Sequence, residues 1–140
     1  MYIRNGYSLF RNDGTSTANN TRPYEGTAVY SQIDYYSGYP YFSNGAGVEI
    51  TVMRFLNLPH TSIIGLYRSP RVPVMQLSEA LREVFDKLST HHNIFIGDLN
   101  INGLHETQRT PHQDLFTRNN YRQLVSCSTT DNNTCIDHIY

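Results

Sequence analysis

Asn93-Ile94-Phe95-Ile96-Gly97-Asp98-Leu99-Asn100 is the stretch whose reading decides the fold. Residues 93–98 (NIFIGD) are apolar on both faces, the pattern of a central strand covered on each side. The strand ends in a glycine. Alternate residues share a face, so Asp98 and Asn100 come off one side at its end. A carboxylate and an amide delivered there suit a cation and a phosphate oxygen. Asp ligates Mg²⁺ or polarises a water, and Asn hydrogen-bonds the attacking or transferred group. Asp and Asn are also common turn residues, so G-D-x-N taken alone reads equally well as a strand-end turn.

Working back from this strand, Leu77, Leu81, Val84, Phe85 and Leu88 fall at i, i+4, i+7, i+8 and i+11. That spacing predicts an amphipathic helix, with Pro73 in its first turn and Glu83 paired to Lys87 on its outer face. Further back, Val48, Ile50 and Val52 alternate with Glu49, Thr51 and Met53, the period of a half-buried strand. Residues 57–60 (NLPH) interrupt it and residues 62–67 (SIIGLY) resume as a second strand, so the pair reads as a hairpin ended by Pro70 and Pro73. Residues 26–31 (GTAVYS) read as a strand and 7–10 as a short one. Residues 12–22 read as a polar loop and 35–44 as irregular chain.

Downstream of Asn100 the pattern predicts a polar loop holding His105 and His112, then a weak helix near 112–118. A strand at 121–126, a turn at 129–133 and a final strand at 135–140 follow. The order of elements is α/β or α+β with a mixed sheet.

Composition bounds the function. The 140 residues fit one domain, and 39% hydrophobic residues with 11 Tyr and 6 Phe provide a core. Lys+Arg of 11 against Asp+Glu of 12 excludes a basic nucleic-acid coat, so a polyanion partner is met locally. Ten of the eleven basic residues are Arg, whose planar fork suits phosphate, although gene base composition gives the same skew. Cys127 and Cys135 make no disulfide scaffold and no C-x-x-C zinc motif, and read as reduced and packed. No signal peptide and no membrane-length apolar run occurs, which makes the expectation a soluble intracellular chain, cytoplasmic or nuclear. His105, His112 and Asp98 lack any recognised zinc-ligand spacing.

Two further segments carry chemistry. In residues 65–70 (GLYRSP), Tyr67 and Arg68 sit at a strand end, where a phenol and a guanidinium contact phosphate, or else fill the core edge and solvent. In residues 134–140 (TCIDHIY), Asp137 and His138 must point to opposite faces of a strand, so only one of them faces a site.

Taken in order, Y-R-x-P, G-D-L-N and I-D-H-I resemble the endonuclease/exonuclease/phosphatase superfamily, especially endonuclease domains of retrotransposons and other mobile elements. Residues 26–31 are similar to that family's G-x-A-[VI]-Y strand, and the likeness runs over residues 7–140. The resemblance implies an α/β/β/α four-layer sandwich with two mixed sheets, partial here, and a metal-dependent phosphodiesterase site along their top edge. It implies that Asp98 ligates the metal and orients or deprotonates the attacking water. Asn100 would hold the phosphate, Tyr67 would hydrogen-bond it, and Arg68 would contact the substrate. Asp137 would orient a catalytic His, while His138 matches no catalytic position and would face away.

The family pattern also has a metal-ligating Glu before the segment matching residues 7–10 and an S-D-H motif after the strand holding Asp137. Asn5 and Glu25 are poor replacements for the upstream residues. The expectation is therefore a single partial domain over 1–140, incomplete at both ends, that binds Mg²⁺ or Mn²⁺ weakly and hydrolyses phosphodiesters weakly or not at all by itself. The partner implied is DNA. The alternative is a non-catalytic remnant that binds nucleic acid or a protein. Strand preference and oligomeric state are open.

Overall fold

The computed structural model describes residues 3–4, 6–13, 26–32, 35–36, 47–88 and 92–140. In chain order the strands are β1 (Ile3–Arg4), β2 (Tyr7–Asp13), β3 (Gly26–Ser31), β4 (Tyr35–Tyr36), β5 (Val48–Phe55), β6 (Thr61–Arg68), β7 (His92–Asp98) and β8 (Asp137–Ile139). Two helices join them, α1 (Val74–Lys87) between β6 and β7, and α2 (Glu106–Arg118) after β7. The strands form two sheets, β1-β2-β3 and β4-β5-β6-β7-β8. In the larger sheet β6 and β7 run parallel and the remaining neighbours antiparallel. The smaller sheet pairs antiparallel. Among the described residues this is an α/β fold of two sheets and two helices.

The β5–β6 hairpin and α1 stand where the sequence periodicity puts them. Pro73 occupies the N-cap of α1 rather than its first turn, and Glu83 and Lys87 pair at 2.6 Å. Leu77, Leu81 and Val84 of α1 and Phe116 of α2 bury against Ile50, Val52, Ile64, Leu66, Phe95 and Tyr140 on one face of the larger sheet. Phe116 stacks on Tyr140 with ring centroids 3.7 Å apart. Each such side chain removed from water stabilises the fold by about 1.5–3 kcal/mol.

Among the described residues the smaller sheet covers part of the opposite face. Its strand β3 lies on β5 and β6, where the Thr27 and Thr51 hydroxyls hydrogen-bond. Consequently β5 is not half-buried as its alternation predicts. Glu49, Thr51 and Met53 are as buried as Val48 and Ile50. The reverse correction applies to β7. It is central in the sheet, but Ile94 and Ile96 are 42% and 43% exposed, because they lie on the sheet-facing side beyond the reach of β3.

Other expectations also shift. Strand β2 runs on to Asp13, so the loop expected from residue 12 starts later, and its residues 14–22 lie outside the described residues. Of the irregular stretch 35–44, Tyr35–Tyr36 pairs with β5 and residues 37–44 lie outside the described residues. Helix α2 begins at Glu106, so His112 is a buried helix residue rather than a loop histidine. Residues 121–126 are not a strand. They run beside β8 with Leu124 N–H donating to the Ile139 carbonyl, but the Gln123 side chain accepts the Ile139 N–H in place of a second ladder bond. Cys135 is buried and Cys127 exposed.

Gly97 explains the glycine of G-D-L-N. A Cβ there would lie 1.7 Å from the Leu66 carbonyl oxygen, so β6 and β7 pair at this point only around a missing side chain. At Gly65 a Cβ would meet Thr51 at an ordinary 3.8 Å. Gly97→Ala is expected to cost about 3 kcal/mol or more and Gly65→Ala under about 1 kcal/mol in urea unfolding. Equal costs would show that the close approach is not what selects glycine.

Candidate active site

The strand registers build the site. On the ladder Glu49 lies opposite Tyr67, Tyr67 beside Asp98, and Asp98 opposite Asp137. Directly paired residues project from the same face. These four therefore form one row across β5, β6, β7 and β8, on the face that β3 covers further along the strands. Glu49 is 1% exposed, Tyr67 and Asp98 are half-buried, and Asp137 is exposed. The row thus runs from the interior between the sheets out to solvent. Tyr67, Asp98 and Asp137 are brought together as neighbours at one end of the sheet.

Beyond Asp98 the chain turns sharply. The Asn100 N–H donates to Asp98 Oδ1 at 2.9 Å, and Asn100 takes φ of 50°, a left-handed conformation that Asn tolerates. Its side-chain amide donates to the Arg68 carbonyl at 2.9 Å, which fixes Asn100 at the end of β6. Asx-turn and functional readings of G-D-x-N are therefore compatible, since one geometry serves both. The loop that follows is fastened to the chain before β8. Leu99 N–H donates to the Ile136 carbonyl at 2.9 Å and Gly103 N–H to the Cys135 carbonyl at 2.7 Å.

Arg68 departs from its expected place. One residue past Tyr67, it projects from the helix side of the sheet and is 5% exposed. Its Nε donates to the Leu99 carbonyl and its Nη2 to the Asn100 carbonyl, both at 2.7 Å, and its Nη1 to the Val72 carbonyl. The guanidinium holds the backbone that carries the site and is turned away from the Tyr67 face, so it is not placed to contact a substrate there.

His138 also lies on the helix side, fully buried. Its Nε2 donates to the Ile101 carbonyl at 2.9 Å and its Nδ1 accepts from the Gln123 amide at 2.7 Å, which describes a neutral imidazole. Burial pushes its pKa below the ordinary histidine value. His112 packs edge-on to it with centroids 5.2 Å apart. His60 and His92 lie at the opposite end of their strands from Tyr67 and Asp98. No group of three or more His, Cys, Asp or Glu side chains gathers to hold a metal among the described residues.

Electrostatics single out Asp98. Burial raises its carboxyl pKa, the Asn100 N–H opposes that rise, and neighbouring Asp137 adds to it. A carboxyl raised by burial and a neighbouring acid holds its proton more readily than a free one, which marks it as a candidate functional group. Glu49 was missed by sequence reasoning. It occupies a polar slot of an alternating strand, which reads as a solvent-facing position until a second sheet is known to cover it.

No protein-family model matches the chain, and no curated protein sequence matches it. A similar solved structure is the endonuclease domain of TRAS1, a telomere-specific non-LTR retrotransposon, at a TM-score of 0.67 and 16% identity. The match covers 94% of this chain and 64% of that one, so the chain spans less than two thirds of the neighbour's length. The likeness is one of fold, the α/β class that the resemblance implies.

Two outcomes follow from this geometry. Replacing Arg68 by Lys removes the fork that reaches separate carbonyls, and urea unfolding is expected to show a loss of about 2 kcal/mol. For Asp98, the folded chain holds the proton more tightly than the unfolded one, so stability falls as pH rises from the ordinary value of 3.8 through the raised one. Asp98→Asn is expected to melt above the parent at pH 7, with the gain vanishing below pH 3.8. A gain independent of pH would assign it to packing instead.

Proposed function

We propose, for a chain with the fold of a retrotransposon endonuclease domain, that it is an endonuclease-like phosphodiester hydrolase domain acting on nucleic acid with Mg²⁺ or Mn²⁺. The observation that carries this reading is the register row placing Tyr67, Asp98 and Asp137 side by side at one sheet end, with Asn100 in the adjoining turn.

Hydrolysis of a phosphodiester forms a bond from water oxygen to phosphorus, breaks the phosphorus–oxygen ester bond, and moves a proton from the water and another to the leaving oxygen. Asp98, its carboxyl raised by burial and by Asp137, takes the proton from the water. Asn100 has one amide N–H engaged by the Arg68 carbonyl and turns the second toward a phosphate oxygen, and the Tyr67 phenol donates to another. Asp98 and Asp137 offer hard oxygen donors that fit Mg²⁺ or Mn²⁺. When bound, such an ion supplies Lewis-acid stabilisation of the phosphate charge. Two carboxylates alone would hold such an ion weakly.

The step with no assigned group is protonation of the leaving oxygen. His138 and His112 are on the helix side, and His60 and His92 are at the far strand ends. General acid–base help is worth about 10²–10⁴-fold, so cleavage that draws on none of these four described histidines is slow.

Nicking of supercoiled plasmid by residues 1–140 tests this. With Mn²⁺ the rate is expected barely above background, to rise on addition of free imidazole, and to be lost in Asp98→Ala. Nicking indifferent to Asp98 would overturn the assignment. DNA binding with no nicking, even with imidazole, would favour the non-catalytic module.

A further inference from the structure

His138 is a buried motif residue that the proposed chemistry does not use. It belongs to a short run of hydrogen bonds whose two ends are backbone groups. At one end the Ile139 N–H donates to Gln123 Oε1 at 2.9 Å. Gln123 Nε2 then donates to His138 Nδ1 at 2.7 Å, and His138 Nε2 donates to the Ile101 carbonyl at 2.9 Å. A backbone N–H only donates and a carbonyl only accepts, so the two ends fix the direction of every bond between them. The Gln123 amide has one orientation and the imidazole one tautomer, with its proton on Nε2. The Tyr140 hydroxyl, 3.4 Å from Nδ1, is the more distant neighbour of that nitrogen.

The end at Ile101 reaches the site. Ile101 follows Asn100, whose φ of 50° lies in the left-handed region, where a non-glycine residue persists only when its surroundings hold it there. Three successive carbonyls of this turn are taken by side chains. Arg68 takes those of Leu99 and Asn100 from β6, and His138 takes that of Ile101 from β8. Asn100 is thus clamped from both flanks, and the β8 clamp is in turn oriented by Gln123. We propose that His138, in its Nε2–H tautomer, is a positioning residue that holds the Asn100 turn, so that the Asn100 amide is aimed at a phosphate oxygen. This deepens the hydrolase reading and rests on Asn100 contacting phosphate. His138 touches neither the phosphate nor the reacting water. It lies on the helix side of β8, while Asp137 beside it projects from the other face by strand alternation. One short strand therefore serves the site from both of its faces.

Imidazole nitrogen NMR reads the tautomer, and a double-mutant cycle on binding of a fluorescein-labelled DNA duplex, followed by anisotropy, reads the positioning. The parent is expected to show His138 with its proton on Nε2. Asn100→Ala should weaken binding about tenfold, the worth of one hydrogen bond to a charged oxygen. His138→Phe should weaken it about 3–10-fold by misplacing that same amide. In the Asn100→Ala background it should cost nothing more, because the contact is already gone. His138→Gln, whose amide can donate to the Ile101 carbonyl, should recover part of the loss. Thermal melts report folding separately, and where His138→Phe does not fold, Gln123→Met takes its place in the cycle. An Nδ1–H tautomer in the parent, unchanged binding in the His138 variant, or additive losses would overturn the positioning role and leave the hydrolase reading standing. Unchanged binding in Asn100→Ala would overturn both.

Discussion

The Arg68 guanidinium ties together the three segments on which the rest depends. It sits at the end of β6 and donates to Leu99 and Asn100 in the turn after β7, and to Val72 just before α1. Buried carbonyls at strand ends would otherwise need water or a cap. One planar fork reaches those carbonyls from three separate nitrogens, a spread that the single nitrogen of an ammonium lacks. Asn100 returns the contact by donating to the Arg68 carbonyl. The parallel junction of β6 and β7 is thereby closed at the end where Tyr67 and Asp98 emerge, and the turn carrying Asn100 is tied to the end of β6. The pairing of β6 and β7 itself relies on Gly97, where no side chain fits beside the Leu66 carbonyl.

The offset of the two sheets governs the rest. Because β3 lies on β5 and β6 and stops short of β7, the covered face changes character across one sheet. Over β5 it buries Glu49, Thr51 and Met53. Over β7 it leaves Ile94 and Ile96 half in solvent. The Glu49–Tyr67–Asp98–Asp137 row crosses this boundary. One acidic group is thus sealed between sheets, one is half-buried, and one is in water, and the half-buried one is the carboxyl pushed upward. Burial at this boundary, with Asp137 alongside, is what raises the Asp98 carboxyl.

Much was legible in the sequence by itself, and for local reasons. The α1 helix follows from its apolar spacing, and the β5–β6 hairpin from two periodic runs around a Pro-containing break, because these patterns need only a single element and one core. The facing of Asp137 against His138 follows from strand alternation alone. G-D-L-N could be read as a strand end because its glycine and its Asx residues act over two or three positions. The resemblance of Y-R-x-P, G-D-L-N and I-D-H-I pointed to the fold found here.

What only the tertiary structure decided is which faces are covered and where long side chains end. Alternation in β5 has the same signature whether its polar face meets water or another sheet, so Glu49 could not be told from a solvated residue. Arg68 and His138 both lie among motif residues, yet their donors are used by backbone carbonyls that are distant in sequence and close only after β6, β7 and the turn have assembled. Residues 121–126 have strand composition but lie beside a three-residue strand whose N–H is taken by Gln123, a competition that no local pattern records. Periodicity determines what a segment can become. Burial and the pairing of distant polar groups depend on the segments that finally lie against it, and those contacts are set by the whole chain.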